Sequence, residues 1–350
     1  MSILEKEIFE QPAVIARLLE RETENVGRLA ADLNGRFDYV LIAARGTSDN
    51  AARYAQYLLG AYNQLPVALA TPSLFTMYRQ PPQLAGALVV GISQSGQSPD
   101  IVSVVTEGRK QGRPTLALTN DVASPLAQAA EYCVPLHAGP ERAVAATKTY
   151  TSALAALALL SSSLSDHGHG GAQDERMAEL RKLPERLSQT LAGLTPVLSR
   201  VERYRYMSHC AVIGRGYNYA TCFEIALKIK ELTRVVAEPY SSADFRHGPI
   251  AMIHDGFPVI LVAPEGAVLA DICDLITDLQ HLGAEQLIIS EDARLLEDAH
   301  LALPIPADVP EWLTPLVAVL PGQLFALTLA QVKGLDPDEP VGLSKVTETL

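Results

Sequence analysis

Four short apolar runs recur in the same order in both halves of the chain. Tyr39-Val-Leu-Ile-Ala-Ala-Arg45-Gly46 is answered by Ala211-Val-Ile-Gly-Arg215-Gly216. Gly86-Ala-Leu-Val-Val-Gly-Ile-Ser93 is answered by Gly256-Phe-Pro-Val-Ile-Leu-Val-Ala263. Pro114-Thr-Leu-Ala-Leu-Thr-Asn120-Asp121 matches Glu285-Gln-Leu-Ile-Ile-Ser-Glu291-Asp292, and Tyr132-Cys-Val-Pro135-Leu matches Leu301-Ala-Leu-Pro304-Ile. The nearly constant offset, about 170 residues, marks an internal repeat. The runs are continuous rather than alternating, as in strands buried on both faces. Helix-like stretches lie between them at 49–59, 99–111 and 124–130. A βαβαβ order predicts a parallel sheet with right-handed crossovers and helices on both sides. The fold class is therefore α/β, with two tandem doubly wound parallel-sheet domains.

The flanks complete the expected division. Residues 1–34 form an N-terminal helical segment, 35–160 the first domain, 161–200 a linker and helix, 201–335 the second domain, and 336–350 a polar tail carrying Lys345. The linker opens with Ser161-Ser-Ser-Leu-Ser-Asp-His-Gly-His-Gly-Gly171, which reads as a flexible hinge. His167 and His169 have no further ligand near them in sequence, so no metal site is expected there. Residues 312–332 carry no charge, but Pro315, Pro321, Gly322 and Gln323 interrupt them. They read as a buried helix starting near Pro321 rather than a membrane span.

Composition narrows the function classes. A chain of 350 residues fits two domains, and 48% hydrophobic against 19% charged residues excludes a disordered chain. The net charge of −12 argues against non-specific binding of nucleic acid or anionic lipid. It still allows a local pocket for a small phosphate ester. Cys133, Cys210, Cys222 and Cys273 are widely spaced, which is neither a disulfide framework nor a zinc pattern. The start MSILEKEIFEQP is too charged for an export signal, so a soluble cytoplasmic protein is expected.

Ligands of open parallel sheets bind beyond the carboxyl ends of the strands. There the chain places Ser93-Gln94-Ser95-Gly96-Gln97-Ser98-Pro99-Asp100, and at the preceding strand Arg45-Gly46-Thr47-Ser48-Asp49. Hydroxyls, a glycine and a helix N-terminus make a credible phosphate cradle. An ordinary helix cap with serine spacers fits the same residues equally well. The equivalent loops of the second half lack the hydroxyls, and Glu265 there would repel phosphate. Tyr219 stands where a dinucleotide fingerprint needs its third glycine, and no P-loop is present, so neither NAD, FAD nor ATP is expected.

Glu224, Lys228 and Glu231 fall within a wedge of about 60° on an otherwise apolar helix. They read either as a solvated i, i+4 salt bridge or as a carboxylate base tuned by an ammonium in a partly dry cleft. His247 precedes Gly248-Pro249 on a turn, where it is either a structural histidine or a proton shuttle. Lys345, near the end of the tail, reads on its own as a solvated lysine. No G-x-S-x-G or H-E-x-x-H occurs.

Together these motifs resemble the sugar isomerase (SIS) domain family. The likeness is to the isomerase half of glucosamine-6-phosphate synthase and to stand-alone type II glucosamine-6-phosphate deaminases. It covers almost the whole chain, through Lys6-Glu7-Ile8-Phe9-Glu10-Gln11-Pro12, the two hydroxyl loops, Val144-Ala-Ala-Thr-Lys148, Glu224-Ile-Ala-Leu-Lys-Ile-Lys-Glu231, His247-Gly-Pro249 and Leu343-Ser-Lys345. The resemblance implies flavodoxin-like αβα sandwiches that use no metal or organic cofactor. It implies sugar-phosphate binding by Gly46, Thr47, Ser48, Ser93, Gln94, Ser95, Ser98, Val144 and Ser344. Glu231 would move a proton between C1 and C2 through an enediol(ate), and Lys228 would stabilise the oxyanion. Glu224 would be a further carboxylate at the site. His247 would open the sugar ring, reaching in from a neighbouring subunit of a homodimer, and Lys345 would form an imine with a ketose.

The departures bear on direction. Position 2 is serine, and no glutaminase domain is expected in a chain of this length, so net amination lacks its ammonia source. Ala146 and Ser98 stand where the synthase commonly has another hydroxyl residue and threonine. The expected activity is glucosamine 6-phosphate to fructose 6-phosphate plus ammonia. The alternatives are a fructosamine-6-phosphate deglycase, a glutaminase-less isomerase of synthase type, and a non-catalytic sugar-phosphate sensor. The sensor would need a DNA-binding segment and none of the proton-transfer groups.

Overall fold

The computed structural model describes residues 1–164 and 170–345. His167 and His169 lie outside the described residues. The chain separates into two compact units. One comprises Gln11–Glu141, Lys148–Pro184 and the tail from Ser344; the other comprises Met1–Glu10, Arg142–Thr147 and Glu185–Leu343.

The first unit holds a parallel sheet of β1 (Tyr39–Ala43), β2 (Val67–Leu69), β3 (Ala87–Ile92), β4 (Thr115–Thr119) and β5 (Tyr132–Pro135), in the order β2-β1-β3-β4-β5. Every residue of β3 and β4 is buried, which is why these strands read as unbroken apolar runs. Ile101, Val104 and Val105 of the helix Pro99–Lys110 pack on Val89 and Ala117. The helix Lys148–Leu164 packs on Gln11–Leu33 and on Thr47–Asn63.

The second unit repeats the plan with β6 (His209–Gly214), β7 (Val236–Ser241), β8 (Pro258–Val262), β9 (Glu285–Ser290) and β10 (Leu301–Pro304), in the order β10-β9-β8-β6-β7. Read from β7, this is the same 2-1-3-4-5 succession as the first sheet, the flavodoxin-like order. Its core joins Ile213, Val259 and Leu261 to Ile272, Leu275 and Leu279 of the helix Leu269–His281.

Three local expectations need correction. Each sheet has a fifth strand, and both extra strands lie at an edge. β2 is only three residues long, and β7 contains Glu238 and Pro239, which an edge strand tolerates because it pairs on one side. Residues 161–164 are not part of a hinge but the last turn of the helix Lys148–Leu164; Ser161 Oγ donates to Asn63 Oδ1 at 2.6 Å. The apolar helix runs Thr314–Val332, so Pro315 stands in its first turn and Pro321 is interior. Gly322 serves close packing instead: a Cβ there would lie 2.3 Å from Ile225 Cγ1. The most apolar 18-residue window within Glu311–Val332 is 94% buried, as a core helix is.

Candidate functional site

β1 and β3 are neighbours, so the loops at their carboxyl ends emerge side by side. The serine loop is tightly built. Ser93 Oγ accepts the Gly96 N–H at 3.1 Å, and Ser95 Oγ accepts the Gln97 N–H at 3.3 Å. A hydroxyl that accepts in this way keeps its own O–H to donate. The Gln94 and Gly96 carbonyls accept the N–H groups of Asn120 and Leu126, both at 3.1 Å. Gly96 sits at φ +64, and a Cβ there would lie 2.1 Å from Ser124 Oγ, so only glycine lets the loop close on its neighbour. Ser98 occupies the N-cap of the helix Pro99–Lys110 without making a side-chain cap hydrogen bond. The ordinary-cap reading therefore loses its main member, and the Ser98 hydroxyl is left for other work. Thr47 and Ser48 open the helix Thr47–Asn63 behind Gly46, which has φ 52.

Two charged residues inside these motifs have a role that spacing did not show. Arg45 Nε meets Asp100 Oδ2 at 2.8 Å, with Arg45 half exposed and the Asp100 side chain fully buried. The pair ties one hydroxyl loop to the other and leaves a guanidinium at their rim. The repeat preserves it: Arg215 Nη1 lies 3.0 Å from Asp271 Oδ2 in the second unit. Burial pushes the Asp271 carboxyl up, but hydrogen bonds from Ser242 and Arg215, with the charges of Arg246 and Arg215, hold it below its usual value. The clasp thus belongs to the duplicated fold, whereas the hydroxyls belong to the first copy.

In the second unit, the helix Asn218–Thr233 carries the charged stripe. The structure rejects the solvated salt bridge for it. Glu224 is 0% and Lys228 1% exposed. Lys228 Nζ lies 2.6 Å from Glu231 Oε2 and 3.4 Å from Glu224 Oε1, and Glu231 keeps 22% of its side chain open. A buried ammonium between two carboxylates, one of them reachable from outside, suits a base beside a cation that can steady a developing oxyanion. The helix is held by the close approach at Gly322 and by Asn218 Nδ2 donating to Thr314 Oγ1 at 2.7 Å. His247 follows the short helix Ser242–Arg246 and is exposed, without an ion pair to the stripe among the described residues.

The tail lysine is not simply solvated. Lys345 Nζ lies 2.9 Å from Glu141 Oε2, whose side chain is fully buried. Glu141 also accepts the Thr149 N–H at 3.1 Å and the Thr149 hydroxyl at 2.8 Å. No sequence signal ties Glu141 to Lys345, because 204 residues separate them. Val144 is half-buried and Ser344 exposed. Among the described residues, no three His, Cys, Asp or Glu side chains are grouped to hold a metal. All four cysteines are free, and burial raises every one of their thiols, Cys133 to about 11 and Cys210 to about 12.

Comparison with known proteins places the fold. The SIS domain model matches residues 38–163 and 206–333, one match per sheet. The chain belongs to the SIS domain family. Among SIS relatives, the glutamine–fructose-6-phosphate aminotransferase (isomerizing) of Pyrococcus horikoshii is 33% identical over 97% of this chain and 56% of that protein. The chain therefore spans little more than half the length of the curated relatives it matches. The C-terminal domain of glucosamine-fructose-6-phosphate aminotransferase from Francisella tularensis superposes with a TM-score of 0.89 at 26% identity, covering 97% of this chain and 98% of that one. Glucosamine-6-phosphate deaminase from Thermotoga maritima shares the fold, with a TM-score of 0.78 at 21% identity over 99% of this chain and 100% of that one. By this kinship the chain is a SIS-family enzyme.

Proposed function

We propose that the chain moves a proton between C2 and C1 of a phosphorylated amino sugar and releases its nitrogen, converting glucosamine 6-phosphate and water to fructose 6-phosphate and ammonia. The observation that carries this reading is the buried Glu224–Lys228–Glu231 cluster with its one open carboxylate. Glu231 takes the C2 proton of the open-chain sugar and returns it to C1. Lys228 steadies the C1 oxygen while it carries negative charge. The resulting C2 imine is hydrolysed by water, which supplies the ketone oxygen as ammonia leaves. Ser93, Ser95, Ser98 and the Thr47–Ser48 hydroxyls hold the 6-phosphate. Glu141 holds Lys345 in place. The exposure of His247 supports its reaching the site of a second copy in a homodimer, where it opens the ring.

Free ammonia is scarce beside ammonium near neutral pH, so release is favoured over capture. Ammonia release from a panel of phosphorylated amino sugars and fructosamines tests the reading. Glucosamine 6-phosphate is expected to be the best substrate. Release only from sugar–amino-acid adducts, or from none of the panel, overturns it.

A further inference from the structure

The Lys6-Glu7-Ile8 motif at the start of the chain has no part in the chemistry above, yet it contains a buried carboxylate. Glu7 lies on the helix Ile3–Phe9 between Leu4 and Ile8, which are both 0% exposed, and is itself only 3% exposed. Leu4 and Ile8 suffice to seat the helix by burial of apolar surface, so packing gives no reason for an acid between them. Its partners supply one. Glu7 Oε1 accepts the Arg142 N–H at 2.6 Å and Oε2 accepts the Ala143 N–H at 3.2 Å. Two consecutive amides of one strap, more than 130 residues away in sequence, are thus held by both oxygens of one carboxylate.

The strap Arg142–Thr147 belongs to the same unit as this helix. Ala143, Ala145 and Thr147 are each 1% exposed, whereas Val144 and Ala146 are half-buried. The strap bends at residues 143–145, and the alternation leaves Val144 and Ala146 facing outward while their neighbours stay in the core. Because buried and open residues alternate along the strap, a slip of one residue would turn Val144 inward. Fixing the amides of Arg142 and Ala143 fixes which residues the strap presents. We infer that Glu7 is a positioning residue, which sets the register of the strap and so presents Val144 to the sugar phosphate. This inference rests on the proposed sugar-phosphate reading and on the family resemblance, which implies Val144 among the substrate-binding residues.

The test uses the full chain with Glu7→Gln, Glu7→Ala and, as a control, Asp338→Ala. Asp338 accepts the Ile3 and Leu4 N–H groups at 2.8 Å each, so its loss loosens the same helix without touching the strap. For both Glu7 variants, KM for glucosamine 6-phosphate is expected to rise about tenfold with kcat changing less, the size of one charge-assisted hydrogen bond lost from holding the bound state. Hydrogen exchange at the Arg142 and Ala143 amides is expected to speed up. Asp338→Ala is expected to lower the unfolding temperature and leave KM and those amides as they were. Glu7 variants with unchanged KM or unchanged strap protection overturn the inference, as does an equal KM rise in Asp338→Ala. If only the Glu7 variants aggregate, exchange in the wild type decides: Arg142 and Ala143 amides as fast as exposed loop amides overturn it, and protected ones support it. A wild type that turns over no phosphorylated sugar refutes the underlying reading instead, a result visible before any variant is made.

Discussion

Replacing Glu231 with glutamine separates chemistry from folding. The geometry sets both magnitudes. Glutamine is isosteric and its carbonyl still accepts from Lys228 Nζ, now 2.6 Å from the carboxylate. Lys228 keeps Glu224 as a counter-charge at 3.4 Å, so no ammonium is left unpaired. The 22% of the Glu231 side chain that is open lets water reach the new amide. The loss of stability should stay at about 1–2 kcal/mol, the difference between a charged and a neutral hydrogen bond. If Glu231 is the base, its loss should lower kcat about 10²–10⁴-fold, a rise in the barrier of about 3–5 kcal/mol. Ammonia release measures turnover, and loss of the C2 hydrogen label from glucosamine 6-phosphate isolates the proton transfer. Calorimetric titration with fructose 6-phosphate should show binding within a few-fold of the wild type. Turnover within tenfold of the wild type, with the label still exchanging, would remove Glu231 from the role of base.

The remaining predictions concern the framework of the site. Gly96→Ala forces a Cβ to within 2.1 Å of Ser124 Oγ at a left-handed φ, so titration calorimetry should show sugar-phosphate affinity falling by at least tenfold; unchanged affinity would clear the loop of phosphate binding. Ser98→Ala should weaken the same affinity while moving stability by less than about 0.5 kcal/mol in urea unfolding, because the hydroxyl makes no cap hydrogen bond. Lys228→Met leaves the fully buried Glu224 without its cation and should cost about 3–5 kcal/mol, most of it recovered in the double variant with Glu224→Gln. The buried thiols predict a pH dependence. Burial, and then the charge of Glu22, raises Cys133 to about 11, and burial raises Cys210 to about 12, both from 9.0. The unfolded chain therefore loses these protons first, so their stabilising contribution is complete below pH 9.0 and is lost as the pH climbs toward about 11 for Cys133 and about 12 for Cys210. A urea midpoint that rises from pH 8 to pH 10 would contradict the sign.

The runs of apolar residues, the repeat and the order of elements were enough to specify two parallel α/β sheets, because a strand buried on both faces writes its burial directly into consecutive residues. The serine loop was legible for a similar reason: it lies between a strand and a helix, and its chemistry is contained in eight neighbouring positions. β2 and β7 leave no such signal, because an edge strand is constrained on one side only and, in β7, tolerates Glu238 and Pro239. Pro321 and Gly322 looked like a helix start; their actual setting, a helix interior pressed against Ile225, depends on a neighbour about a hundred residues away. Whether Glu224, Lys228 and Glu231 face water or a dry interior was undecidable from spacing, since three charges within a narrow wedge look alike in either setting. Packing against the apolar helix Thr314–Val332 buries Lys228 between the two carboxylates. The partnerships Arg45–Asp100, Lys345–Glu141 and Glu7 with the Arg142 and Ala143 amides likewise belong to the tertiary structure alone. Periodicity reports which way a side chain points along its own element. Only the folded chain determines which distant group it meets.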